Sequence, residues 1–261
     1  MNSRGTFGDV ILIEHLPYTP DPSPARRGRI GLVMLASDHT IEAELHWLIG
    51  QVDGLALFSN RIENVDQVTP DTLRAMAPRI TAAADLILAG ADLDVVAYGC
   101  TSASMAIGEE QVVARIQHSR PAVRCTTPIT GAFAAFEAFG AKRIAVLTPY
   151  RADVNRIVAE YITARGYEVP VFGSFNEESD AAVGTISVDS VRNGIRAVLA
   201  ESTADAVFVS CTSVRVAHAV AELEAEFGLP ITSSNHAMAW HAIRLAGVPD
   251  PLPHLGTLYA Q

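Results

Sequence analysis

The chain has 261 residues, 49% hydrophobic and 18% charged, enough to bury a sizeable core as one domain or two small lobes. A formal net charge of −10, with no Lys/Arg run longer than Arg26-Arg27, argues against nucleic acid and anionic membrane as partners. Three cysteines cannot all pair, no apolar run approaches a membrane span and the N-terminus lacks a signal-peptide layout, so a cytoplasmic location is expected.

Residues 1–29 read as an N-terminal arm. Pro17, Pro20, Pro22 and Pro24 break helix and sheet, and Val10–Ile13 is only a four-residue apolar patch. The arm is expected either to pack across a neighbouring copy or to be partly mobile. Ile30–Ala36 is a continuous apolar run, hence a buried first strand, ended by Ser37-Asp38-His39-Thr40 and followed by a helix over Glu42–Leu48. Asp53–Ser59 is the next strand. Helical periodicity runs from Pro70 to Ala89, with Thr69 as N-cap and Gly90 as stop. The next strand closes at Cys100 and leads into a helix. Pro121–Thr127 is extended, and the Ala-rich Pro128–Phe139 is a helix ended by Gly140.

The pattern then restarts. Lys142–Tyr150 is a strand and its exit, Asp153–Arg165 a helix ended by Gly166, and Glu168–Phe172 a strand. Asn176–Thr185 reads as loop with some helix, and Asp189–Glu201 as helix. A strand closes at Cys211 and a helix runs on through Phe227. Pro230–Ser233 is extended, Ala237–Leu245 is the final helix, and the tail from Pro249 carries three prolines. Ile30 to Cys100 spans 70 residues and Ile144 to Cys211 spans 67, with the same alternation of strand and helix. The expectation is an α/β protein of two similar Rossmann-like lobes with parallel sheets, related by a pseudo-two-fold. The first lobe covers 30–140 and the second 141–261, the last helix packing back on the first lobe and the active site lying in the cleft between them.

Each half carries one copy of the same tripeptide, Cys100-Thr101-Ser102 and Cys211-Thr212-Ser213. Each copy closes an apolar strand and precedes a helical pattern, which puts it at the sheet edge where doubly wound folds bind ligands. A thiol at a helix N-terminus is expected to have a lowered pKa, and the N–H groups and hydroxyls of Thr101, Ser102, Thr212 and Ser213 can hold a carboxylate. Two thiols facing one substrate suit two reactions. One thiolate removes a proton α to a carboxylate while the other thiol donates on the opposite face, or one adds to an activated double bond while the other manages the proton. Neither needs a cofactor. Gly-rich dinucleotide and phosphate-loop motifs are absent, and His236 and His241 are wrongly spaced for one helical face, so no metal is expected. Cys125 lacks the strand-end context and reads as buried and inert. A non-catalytic ligand sensor is the rival reading, but a sensor has no use for paired thiols.

Ile30-Gly31-Leu32-Val33 through Ser37-Asp38-His39-Thr40, Gly99-Cys100-Thr101-Ser102, Leu147-Thr148-Pro149-Tyr150, Ser210-Cys211-Thr212-Ser213 and Ser233–Trp240 resemble, in that order, the motifs of the aspartate/glutamate racemase superfamily. The resemblance is to the branch with maleate cis-trans isomerase, arylmalonate decarboxylase and the ectoine-utilisation racemase-like proteins. It implies a cofactor-independent isomerase or racemase acting on a small carboxylate, with Cys100 attacking a double bond and Cys211 as proton donor or base. The decarboxylase keeps only the second cysteine, so two cysteines argue against decarboxylation. Tyr150 matches a tyrosine that contacts a substrate carboxylate, and Asn176 falls where the family often places a polar substrate contact. His236 reads as a cap or supporting group. Asp38 departs from the asparagine usual in maleate isomerases. As an aspartate it favours an ammonium or amide, which tilts the expectation towards a nitrogen-bearing acid of the ectoine-utilisation kind; the alternative for Asp38 is a helix cap. A homo-oligomer, dimer or tetramer, is expected.

Overall fold

Continuous apolar runs belong to parallel strands covered on both faces, and here they form two separate sheets. The computed structural model describes residues 3–21, 23–177 and 179–261. Met1, Asn2, Pro22 and Glu178 lie outside the described residues. The first sheet holds β3 (Gly28–Leu35), β4 (Leu55–Ile62), β5 (Val95–Gly99) and β6 (Arg124–Thr126), all parallel, in the order β4-β3-β5-β6. The second holds β7 (Ile144–Thr148), β8 (Phe172–Ser174), β9 (Ala206–Val209) and β10 (Ile231–Ser233), also parallel, in the order β10-β9-β7-β8. Read from their first strands, the two orders are the same. β5, β7 and β9 are buried at every residue.

The helices of the first lobe are α1 (Ile41–Ile49), α2 (Pro70–Arg74), α3 (Ile80–Leu86), α4 (Thr101–Ile107), α5 (Glu109–Ser119) and α6 (Pro128–Phe139). Those of the second are α7 (Ala152–Ala164), α8 (Asp180–Val183), α9 (Val188–Glu201), α10 (Val220–Phe227) and α11 (Ser234–Leu245). The ends of α6 follow from local chemistry. The Thr127 hydroxyl accepts from the Thr130 N–H, Pro128 fills the first turn, and Gly140 closes the helix at φ 66°. No helix among the described residues is long and apolar enough to cross a membrane.

Four elements differ from the sequence expectation. The arm carries an antiparallel hairpin of β1 (Ser3–Phe7) and β2 (Val10–Glu14), turned by Gly8 at φ 58° and Asp9. Its Phe7, Val10 and Ile11 side chains are exposed. The helix expected over Pro70–Ala89 is α2, a 3₁₀ turn at Ala77–Arg79 and α3. Pro78 supplies no N–H to an unbroken helix, and Leu88 at φ 46° ends the segment before Gly90. β8 begins at Phe172, not Glu168, because Pro170 cannot donate to the ladder; Glu168 keeps only an isolated bridge to Arg143. The helix expected directly after Cys211 starts with a 3₁₀ turn at Ala217–Ala219 and becomes α10 at Val220.

The closing helices cross between the sheets. α11 packs on α1, β5 and β6, where Thr126 Oγ1 meets His241 Nδ1 at 2.8 Å. α6 packs on β9 and β10, with the Phe136 ring edge-on to Phe208 at 5.6 Å. α6 and α11 also pack against each other. A Cβ on Gly131 would lie 2.8 Å from the carbonyl carbon and oxygen of Ala237 and from the Met238 Cα, so only glycine allows the two backbones to meet this closely.

Candidate active site

Cys100 is the N-cap residue of α4, in extended conformation, and its carbonyl accepts the Ser104 N–H at 3.0 Å. Cys211 follows β9 and opens an irregular stretch, 211–216. Without a helix, the polar backbone groups of that stretch need other partners. Ser234 Oγ, at the start of α11, accepts the Cys211 N–H at 3.0 Å and the Thr101 hydroxyl at 2.7 Å. Asn235 Nδ2 donates to the Thr212 carbonyl at 2.7 Å, and Thr40 Oγ1 donates to the Ser213 carbonyl at 2.9 Å. Glu44, buried on α1, accepts the N–H groups of Val216 and Ala217 at 2.8 Å each with Oε1 and Asn235 Nδ2 at 2.8 Å with Oε2. Thr40 and Glu44 of the first lobe, together with Ser234 and Asn235 of α11, thus hold the second-lobe cysteine loop.

Cys100 and Cys211, 5% and 4% exposed, line one cavity between the lobes together with Ser102, Tyr150, Thr212 and Asp180. Leu35, Val68, Leu73 and Met76 supply an apolar wall. Tyr150 lines the same cavity, and its hydroxyl interacts with the Cys211 thiol and with Ser102. Its backbone carbonyl accepts the Ser174 hydroxyl.

The lowered thiol pKa expected at a helix N-terminus is not what this site produces. Burial pushes Cys100 up to about 12 and outweighs the Ala103 N–H, with the carboxylates of Asp180 and Asp38 adding to the rise. Burial and Asp180 raise Cys211 as well, against the Tyr150 hydroxyl. Burial likewise raises Tyr150 far above its ordinary value. At rest both thiols are protonated.

The other expected residues divide. Asp38 is buried, and its Oδ1 accepts the Thr40 and Ile41 N–H groups at 2.8 and 2.9 Å, which caps α1. Its Oδ2 is buried without a hydrogen-bond partner. The Thr101 hydroxyl is taken up by Ser234, away from the cavity. The Ser213 hydroxyl donates to Asp180 Oδ1 at 2.7 Å. Asn176 is a turn residue at φ 56° whose N–H donates to Ser174 Oγ at 3.0 Å; it borders a surface hollow with Arg156 and Asp153, outside the thiol cavity. Cys125 is half-buried with its thiol near the Val123 carbonyl. His236 is buried between Thr232 Oγ1 and the Leu255 carbonyl, each at 3.0 Å, and supports α11. Among the described residues no group of three His, Cys, Asp or Glu side chains is arranged to hold a metal.

Sequence reasoning missed three residues of this constellation. Glu44 had a signal, since it interrupts the apolar face Ile41, Leu45, Leu48 of α1. Ser234 lay inside the Ser233–Trp240 motif but was given no role of its own, and Asp180 had no signal, because their partners are distant in the chain.

The sequence and fold have known counterparts. A maleate isomerase from Nocardia farcinica is 28% identical over 242 residues, 89% of this chain and 96% of that protein. An arylmalonate decarboxylase from Bordetella bronchiseptica is 33% identical over 127 residues, 47% of this chain and 52% of that protein. Among solved structures, a cysteine-to-serine variant of Nocardia farcinica maleate cis-trans isomerase with a covalently bound succinylcysteine intermediate superimposes with a TM-score of 0.81 and 26% identity, covering 90% of this chain and 98% of that one. The arylmalonate decarboxylase family model matches residues 30–259, so the chain belongs to that family, within the aspartate/glutamate racemase superfamily.

Proposed function

We propose that the chain is a cofactor-independent isomerase that processes a small carboxylate with two thiols, Cys100 and Cys211. The observation that carries this is that one cysteine from each lobe lines the same buried cavity. Neither thiol is spent on a disulfide.

The reaction follows the maleate-isomerase pattern. One thiol, Cys100 by its place at the end of β5, passes its proton to a carboxylate oxygen of the bound substrate and forms an S–C bond to one alkene carbon of a cis unsaturated acid; it takes that proton back when the sulfur leaves. The π pair moves to the neighbouring carbon and onto its carboxylate. The former double bond is now single and rotates. Expelling the sulfur restores the π bond in the trans geometry, with no net gain or loss of atoms or electrons. Cys211, under the Tyr150 hydroxyl, supplies and recovers the proton at the adjacent carbon. The relatives are named for maleate and arylmalonate, so this reading stands ahead of the ectoine-utilisation racemase that Asp38 suggested. Racemisation remains the second reading, because the same two thiols can exchange an α-proton between opposite faces.

Maleate-to-fumarate conversion and α-hydrogen exchange in heavy water, followed by proton NMR, test both. Cys100→Ser and Cys211→Ser should each reduce turnover by at least about 10²-fold while leaving the circular dichroism spectrum unchanged. Full turnover in either variant removes the two-thiol chemistry.

A further inference from the structure

Asp180 was absent from the sequence expectation, and the two-thiol chemistry does not use it. It is 7% exposed, opens α8 and lines the thiol cavity. Its Oδ1 accepts from Ser213 Oγ of the second lobe and its Oδ2 from Ser37 Oγ of the first, each at 2.7 Å. Ser37 Oγ in turn accepts from Asn64 Nδ2 at 2.7 Å. Every one of these donors is neutral. They orient the carboxylate and leave its charge uncompensated, and each oxygen retains lone-pair capacity beyond the single serine bond. Among the described residues no Lys, Arg or His side chain lines the cavity. A second carboxylate, Asp38, is buried outside the cavity lining, and its Oδ2 has no hydrogen-bond partner. A buried carboxylate without a counter-charge is costly, and a strut between the lobes would need only an amide. What the cavity lacks is a cation.

We propose that Asp180 is a specificity-determining residue that receives a positively charged nitrogen of the substrate, so that the cavity prefers a small zwitterion to a dicarboxylate. This rests on the two-thiol reading for the other end of the substrate, where the hydroxyls of Ser102, Thr212 and Tyr150 are available to a carboxylate. A bound cation would also offset the negative charge that opposes thiolate formation at Cys100 and Cys211.

The test is a binding comparison of two probes of matched length, 4-aminobutyrate and succinate, by calorimetry on the wild-type chain and on Asp180→Asn and Ser37→Ala. The wild type should favour 4-aminobutyrate by tenfold or more. Asp180→Asn, near-isosteric and still able to bond both serines, should lose about ten- to a hundredfold of that affinity, the loss expected for a charge-assisted hydrogen bond. Ser37→Ala keeps the carboxylate and should keep the preference. A wild-type preference for succinate, or no binding of 4-aminobutyrate at millimolar concentration, overturns the proposal without recourse to any variant. Equal loss of preference in Asp180→Asn and Ser37→Ala makes Asp180 a strut and overturns it too. Turnover does not enter this readout, so the isomerase reading stands or falls separately on the cysteine variants.

Discussion

At Cys100 the N-cap position and the Ala103 N–H both favour a thiolate, yet burial and two carboxylates set the thiol at about 12. A thiol whose folded pKa lies above its ordinary value of 9.0 stabilises the fold fully below that value and loses the contribution as pH rises towards 12. Stability measured by denaturant should therefore fall from about pH 9 upward, and Cys100→Ser should flatten part of that slope. The raised phenols of Tyr98, Tyr150 and Tyr259 act in the same direction at higher pH. His236 has the opposite sign. Burial holds its imidazole down to about 4, neutral, with Nε2 donating to the Leu255 carbonyl and Nδ1 accepting from Thr232. Its contribution is present above its ordinary value of 6.5 and is lost as pH falls towards 4. That loss amounts to about 3 kcal/mol. Unfolding free energies across this acid window should show a steep fall in the wild type and a shallower one in His236→Gln.

Between elements, two contacts set the spacing of the lobes. Gly131→Ala would press a methyl against the Ala237 and Met238 backbone of α11, which cannot move aside as a side chain could. It should cost about 1–3 kcal/mol in chemical denaturation. Glu44→Ala would strand the Val216 and Ala217 N–H groups and the Asn235 amide in a buried place. A loss on the order of 3 kcal/mol is expected, together with reduced turnover, because the same carboxylate holds the loop that follows Cys211. What was legible in the sequence follows from the range of these interactions. α6 could be read to the residue because Thr127, Pro128 and Gly140 punctuate it locally. β5, β7 and β9 could be read because burial on both faces leaves an unbroken apolar run. The hairpin was passed over although Gly8-Asp9 is a turn dipeptide, since the prolines that follow it drew the reading towards an unstructured arm. The path after Cys211 was not legible, because α1 and α11 decide it.

For the whole molecule, the repeat of Cys-Thr-Ser in two equivalent settings was enough to place both cysteines at the ends of third strands in two sheets of the same order. Asp180 was not foreseen, because it enters from a short helix with no motif of its own. The crossing of α6 and α11 bears on how anything reaches the thiols. Each half is roofed by the other's last helix, so the halves cannot swing apart like a jaw without stripping Phe136 from Phe208 and His241 from Thr126. Entry is left to the rim. There the segment from Asn64 to Val68, which borders the cavity, meets the second lobe through the antiparallel bridge of Gln67 to Ser179. Residues paired in this way lie close enough for a disulfide. Gln67→Cys with Ser179→Cys, oxidised, should therefore slow substrate capture severalfold or more in stopped-flow measurements and recover on reduction. An unchanged rate would mean that traffic takes another route. A slowed and recoverable rate would make the molecule a doorway set in a fixed frame, with access to the thiols decided at the rim.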